Sequence, residues 1–74
     1  MLNKLYNKLN SLGYTIEKQD NSIHLFTNEK DVHVYIENNQ LLEVFYFNDD
    51  DGCVGIDFFN NENTAYYHIR GFLY

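Results

Sequence analysis

The sequence has one cysteine, few basic residues and no long apolar run. Cys53 has no partner for an internal disulfide, and a lone thiol is typical of a reducing compartment. No apolar run approaches the roughly 20 residues that a transmembrane helix needs. The N-terminal segment is amphipathic and contains lysine, unlike a secretion signal. We therefore expect a soluble, cytoplasmic protein that does not contact membranes.

Positive charge is scarce and unevenly placed. The chain has 5 Lys and Arg against 11 Asp and Glu, a net charge of −6. Residues 1–30 carry four lysines and three carboxylates (net +1), whereas residues 31–74 carry eight carboxylates and Arg70 (net −7). Binding to a phosphate backbone needs basic clusters, so this charge argues against direct nucleic-acid binding. It favours a basic protein partner, or serves solubility.

The length of 74 residues indicates a single domain, 1–74. Such a chain buries only about 60% of the surface that its unfolded form exposes, which leaves a small stability margin. Seven tyrosines and six phenylalanines help to offset this, because large rings bury much area per residue. No linker, repeat or low-complexity segment interrupts the chain.

The first segment is predicted to be a helix over about residues 2–12. Apolar residues recur there at spacings of three and four, which gives one stripe. The stripe consists of Leu2, Leu5, Leu9 and Leu12. Gly13 follows, where a helix C-terminus favours a residue that adopts positive φ.

Alternating apolar and polar residues, separated by polar turns, predict six short strands after the helix. The strands are expected at about 14–18, 22–27, 32–37, 40–47, 53–59 and 64–70. Asn38 and Asn39 suit a tight turn, because asparagine tolerates positive φ. A two-residue turn would place Val34 opposite Glu43 on one face, so we favour a loop one residue longer.

Charged residues indicate which side of two predicted strands points to water. Glu43 is expected to point to water, together with Leu41, Phe45 and Phe47. The inward residues of that strand are then Leu42, Val44 and Tyr46. Asp57 is also expected to point to water. In its strand the outward residues are then Cys53 and Phe59, and the inward residues are Val54, Ile56 and Phe58.

These elements predict an α+β fold with one N-terminal helix packed on a mostly antiparallel meander of five to six short strands. One helix covers only part of one sheet face, so the other face is expected to be rich in rings and charges. Its predicted members are His33, Tyr35, Glu37, Glu43, Phe45, Phe47, Asp57, Phe59, Tyr66, His68 and Arg70. The alternative is a strongly curled sheet, a small barrel that buries both faces.

The acidic run at 49–51 is interpreted first of all as a turn between two strands. If Gly52 took the glycine position of an EF-hand loop, Phe47 and Phe58 would stand where the first ligand and the bidentate glutamate belong. On an exposed turn the three carboxylates would stay hydrated and ionised, and no nucleophile accompanies them. We therefore expect neither a calcium motif nor a catalytic site here.

The cysteine and the three histidines show no reactive or metal-binding pattern. Pairing of Cys53 with any histidine would join residues distant in sequence, and the spacings are not those of zinc sites. We therefore predict no enzyme activity, no cofactor and no metal. His33 and His68 are interpreted as hydrogen-bonding surface residues, with a pH-dependent interface as the alternative.

Protein binding is the function that the sequence favours. Tyr and Phe are common interface anchors, and carboxylates at the rim steer a basic partner into place. Base stacking is disfavoured because the same face carries carboxylates. The predicted partner-binding residues are Asp49, Asp50, Asp51, Asp57, Glu37, Glu43, Glu62, Tyr35, Phe45, Phe47 and Tyr66.

Small size, acidity, abundant Asn and Tyr, and the lack of a catalytic motif resemble, at the level of class, small phage-encoded inhibitors of host defence such as anti-CRISPR proteins. Immunity proteins that neutralise nuclease toxins are similar in the same respects. With the charge pattern, this predicts a phage- or mobile-element-encoded inhibitor that blocks a basic nucleic-acid-handling host protein, by mimicking DNA. The resemblance rests on no motif, so no functional residue is carried over. The alternatives are an immunity protein and a homodimer or other homo-oligomer.

Overall fold

The computed structural model of the protein describes residues 2–38 and 40–74. The chain forms helix α1 (Leu2–Asn10), five strands and helix α2 (Glu62–Leu73). The strands are β1 (Thr15–Gln19), β2 (Ser22–Phe26), β3 (Lys30–Glu37), β4 (Leu41–Asn48) and β5 (Gly52–Phe59). They lie side by side in chain order, each antiparallel to the next. This confirms the predicted α+β class, with its N-terminal helix and antiparallel meander.

Both helices pack on the same face of the sheet. The leucine stripe of α1 is buried as predicted, and Leu12 packs against the edge of the core. The sheet contributes buried side chains from β2, β3, β4 and the end of β5. These residues are Ile23, Leu25, Val32, Val34, Leu42, Val44, Tyr46 and Phe59. Helix α1 ends at Asn10, two residues before the predicted end, while Gly13 has a φ of 90°, the positive φ expected of it.

The predicted strand at 64–70 is wrong, because this segment belongs to α2. Ala65, Ile69 and Leu73 are spaced by four residues and form one buried stripe. The Asn61 side chain caps the helix by accepting a hydrogen bond from the Thr64 backbone N–H at 2.8 Å. A helical period and a strand period both place residues 65 and 69 on one face. The helix prevails because it covers the part of the sheet that α1 leaves bare.

The predicted orientation of β4 is confirmed, whereas that of β5 is wrong along most of the strand. Cys53 is exposed and pairs with Phe47 on the side away from the helices, as predicted. Asp57 pairs with Val44 and therefore lies on the helix side, where it remains exposed. Phe59 is buried, while Val54, Ile56 and Phe58 are 45%, 50% and 54% exposed. A β-bulge between Tyr46 and Phe47 shifts the register near Cys53. Since β5 is an edge strand, a carboxylate can stay hydrated even on the side that carries the helices.

The loop between β3 and β4 has the predicted longer form. Glu37 pairs with Leu41, which leaves three residues between the strands and places Val34 opposite Val44. Asn38 adopts a φ of 53°, as expected for asparagine in a turn. Asn39, the second residue of the predicted turn pair, lies outside the described residues.

The sheet is open, with β1 and β5 as its two edges. The alternative of a closed barrel is therefore wrong. One face is covered by α1 and α2, and the other face is left without a covering element within the described chain. Neither α1 nor α2 is long and apolar enough to cross a membrane.

Candidate functional site on the open face of the sheet

The side of the sheet away from both helices, here called the open face, gathers rings and carboxylates. Cross-strand partners share one face of an antiparallel sheet, so the register fixes its members. From β1 to β5 they are Thr15, Glu17, Gln19, Ser22, His24, Phe26, Asp31, His33, Tyr35, Glu37, Leu41, Glu43, Phe45, Phe47, Cys53, Ile56 and Phe58.

A row of rings crosses the open face. His24 and His33 stack with their ring centroids 3.8 Å apart. Phe47 meets His33 edge-on at 5.0 Å, and Tyr35 meets Phe45 edge-on at 5.7 Å. A concavity of about 600 Å³ lies over β3 and β4 beside these rings. Ring–ring contacts restrict the side chains before any partner arrives, which lowers the entropic cost of binding.

Within residues 2–38 and 40–74, the open face carries carboxylates but no lysine or arginine. Its acidic residues are Glu17, Asp31, Glu37 and Glu43. Lys4 and Lys8 belong to α1 and Arg70 to α2. Lys18 and Lys30 alternate with open-face residues in β1 and β3, so they point to the helix side. Lys30 Nζ donates to the Phe72 carbonyl of α2 at 2.6 Å. The fold therefore separates charge, with every lysine and arginine away from the open face.

The acidic turn, Asp49–Asp51, joins β4 to β5 at one end of the open face. The Asn48 side chain accepts a hydrogen bond from the Asp51 backbone N–H at 2.8 Å. Gly52 closes the turn with a φ of 73°, which a glycine adopts without strain. All three aspartates are exposed. The turn predicted at this position is confirmed, and its charges extend the negative surface of the open face.

The structure divides the predicted partner-binding residues among three places. Tyr35, Glu37, Glu43, Phe45 and Phe47 lie together on the open face. Asp49, Asp50 and Asp51 form the acidic turn. Asp57, Glu62 and Tyr66 lie on the helix side or on α2, away from the other two groups. The aromatic face was also predicted to include Phe59, His68 and Arg70, and this is wrong: Phe59 is buried and the other two belong to α2.

Glu62 and Tyr66 take part in packing the two helices together. A Glu62 carboxylate oxygen accepts a hydrogen bond from the Leu5 backbone N–H at 2.7 Å. Lys8 Nζ donates to the Asn63 side chain at 2.9 Å and lies 5.1 Å from the Tyr66 ring centroid. These contacts give both residues a role in stabilising the fold.

Sequence reasoning missed a cluster of His24, Asp31 and His33 on the open face. One potential ligand atom from each residue lies within 4.8 Å of the others. His24 Nε2 is 3.8 Å from a carboxylate oxygen of Asp31. Burial and the neighbouring His24 lower the pKa of His33, while Asp31 raises it. Pairing the predicted strands 22–27 and 32–37 as a hairpin was the signal that could have revealed this cluster.

Comparisons of this chain with protein-family models, with curated proteins and with solved structures found no match. The geometry and charge of the open face are therefore the basis for a functional assignment.

Proposed function

We propose that the protein is a stoichiometric inhibitor that binds a basic, nucleic-acid-handling protein through its open face and acidic turn. The separation of charge is the observation that supports this proposal. Four carboxylates on the open face and three in the acidic turn accompany a row of rings, while every lysine and arginine lies elsewhere. A basic partner would meet carboxylates on this side of the molecule without a neighbouring lysine or arginine.

The rings and the carboxylates have different parts in this binding. Tyr35, Phe45 and Phe47 supply apolar area at low entropic cost, which favours slow dissociation. The carboxylates accelerate encounter and set orientation, because their field attracts a basic surface. Enzymes that handle nucleic acid hold the phosphate backbone in basic grooves. A negative surface seated in such a groove would block the substrate, as a DNA mimic encoded by a phage or mobile element would do.

Affinity capture from the native host, followed by mass spectrometry, identifies the partner. A host nucleic-acid-handling effector supports the proposal. A secreted nuclease toxin supports the immunity-protein alternative. Failure to recover a basic protein in any capture would count against both versions.

Charge reversal then tests the binding surface on the identified partner. Asp50→Lys in the acidic turn is compared with Asp20→Lys in the turn between β1 and β2, at the opposite end of the sheet. Both aspartates are exposed, and both changes alter the net charge equally. We expect Asp50→Lys to slow association and reduce its salt dependence, and reversal of all three aspartates to weaken binding at least about tenfold. Equal affinity and equal salt dependence of the triple variant and the wild type would remove the acidic turn from the interface.

Self-association is a second candidate, and the edge strand β5 favours it. Val54, Ile56 and Phe58 are about half exposed there, and the outer edge of β5 pairs with no other described strand. Such an edge can extend the sheet by pairing with a second copy. Light scattering that shows a dimer, and its loss in Ile56→Lys, would support this candidate. A monomer at micromolar concentration would contradict it.

A further inference from the structure

We propose that His24, Asp31 and His33 form a binding site for a divalent transition-metal ion, zinc being the type case, on the open face of the sheet. This site does not rest on the partner binding proposed above, although both use the open face. It combines two imidazoles and one carboxylate, donors that zinc and non-haem iron use in proteins. Magnesium and calcium prefer all-oxygen sites, so the two imidazoles select against them.

The register of the β2–β3 hairpin brings the three donors together. His24 lies directly opposite His33, and Asp31 precedes His33 by two residues on the same face. The donor atoms already lie within 4.8 Å of one another. The side chains of His24 and Asp31 are 36% and 44% exposed, so the cluster lies at the surface of the open face.

One donor atom in this cluster lacks a partner. His24 Nε2 is shielded from solvent and makes no hydrogen bond to any described residue, although the Asp31 carboxylate is only 3.8 Å away. A buried polar atom left in this way costs free energy. An ion placed between the imidazole and the carboxylate would satisfy both groups at once.

Apolar rings form the walls of the site. The Phe26 ring lies 4.8 Å from that of His24, and the Phe47 ring lies 5.0 Å from that of His33. A hydrophobic surrounding limits competition from water and strengthens the bonds between the ion and its ligands. The aromatic row of the open face would thus serve as an outer layer of the metal site.

Binding requires a small rearrangement of the two imidazoles. Zinc–ligand bonds of about 2.0–2.2 Å place tetrahedral donors about 3.3 Å apart, so the three donors must converge. Rotation of the stacked rings of His24 and His33 about their Cβ–Cγ bonds supplies this movement and gives up the stacking. Three protein ligands leave the fourth position to water, which is accessible from the open side.

Calorimetric titration of untagged protein with Zn²⁺ tests the site, with Mg²⁺ as a second titrant. The measurements use a Cys53→Ser background, because the exposed thiol is itself a metal ligand. His24→Phe and His33→Phe remove a ligand but retain a ring. The matched control is His68→Phe, which makes the same change at an exposed position of α2. Circular dichroism verifies that each variant is folded.

We expect saturable binding of one Zn²⁺ per chain and no saturable binding of Mg²⁺. Each of His24→Phe and His33→Phe should weaken Zn²⁺ binding at least about tenfold, since even outer-layer changes cost about 10–100-fold. Asp31→Asn should also weaken it, and His68→Phe should leave it unchanged. The absence of saturable Zn²⁺ binding would overturn the proposal. Equal Zn²⁺ affinity in the wild type and both open-face histidine variants would do so as well.

Discussion

At the scale of single residues, Tyr46 links the stability of the core to alkaline pH. Its ring lies 4.9 Å from that of Phe72, between sheet and α2. Its hydroxyl is shielded from solvent and has no hydrogen-bond partner of normal geometry among the described residues. Burial, and then the negative charge of nearby Asp57, raise the pKa of Tyr46 well above its usual value near 10.

Because its pKa is raised, the folded protein keeps the Tyr46 proton at a pH where the unfolded chain loses it. The stability that depends on neutral Tyr46 is therefore intact below about pH 10 and is lost as the pH rises further. We expect the wild type to lose up to about 1.4 kcal/mol more per pH unit than Tyr46→Phe in that range. Urea unfolding between pH 8 and about pH 11 measures this. Parallel pH profiles for the two proteins would contradict the prediction.

Glu62 is a second residue whose effect on stability can be measured. It accepts the Leu5 backbone N–H in the first turn of α1 while lying in the first turn of α2, so its charge favours both helix N-termini. Glu62→Gln should lower the free energy of unfolding by about 1 kcal/mol, as measured in urea. Glu29→Gln, at an exposed loop position, is the control and should have little effect. Equal losses in both variants would show that only net charge matters.

At the scale of elements, a helix or strand is predicted best where the spacing of the apolar residues fits only one of the two structures. The leucines of α1 fit only a helix, and Leu42, Val44 and Tyr46 alternate strictly in β4. In α2, aromatic and β-branched residues favour a strand, and the helix becomes evident only from the spacing of Ala65, Ile69 and Leu73. That helix forms because tertiary packing outweighs local propensity.

The candidate site could be predicted in part. The alternation in β3 and β4 places Tyr35, Glu43 and Phe45 on one face, which the structure confirms. Asp57 led to the wrong orientation for most of β5. A charged residue identifies the solvent-facing side of a strand only where the other side of that strand is buried, and most of β5 is exposed on both sides. The cluster of His24 with His33 depends on the register of a hairpin, which single-strand patterns do not contain.

The start of α2 can be tested through its cap. Asn61→Ala removes the side-chain oxygen that accepts the Thr64 N–H, and typical N-cap losses are about 1 kcal/mol. We expect a lower urea midpoint with an unchanged slope. Asn60→Ala, at the neighbouring exposed position, should leave the midpoint almost unchanged. A loss in Asn60→Ala as large as that in Asn61→Ala would assign the effect to the loop instead of the cap.

At the scale of the whole molecule, the separation of charge lowers the free energy of unfolding. Carboxylates on the open face repel one another, since no lysine or arginine of the described chain lies among them. The double variant Glu37→Gln/Glu43→Gln should be more stable than the wild type by about 0.5 kcal/mol at low salt.

Salt dependence distinguishes this repulsion from other effects of the two substitutions. The gain in unfolding free energy of the double variant over the wild type should disappear as salt is raised from about 10 mM to about 1 M, because the Debye length falls from about 30 to about 3 Å. Asp20→Asn/Glu29→Gln is the control, because it changes the net charge equally from positions off the open face. An advantage of the open-face variant that persists at high salt would contradict an electrostatic cause.

The chain-order arrangement of the strands also has a consequence for the route of folding. Each strand pairs with its sequence neighbour across a short turn, so every hairpin closes a small loop at low entropic cost. The contact between the helices is different, because the hydrogen bond from Leu5 to Glu62 joins residues 57 positions apart. Closing that loop becomes cheaper once the sheet has formed, because the separation of its two edges, β1 and β5, is then fixed. We therefore expect the helix–helix contact to form late, so that weakening it accelerates unfolding and leaves the folding rate almost unchanged.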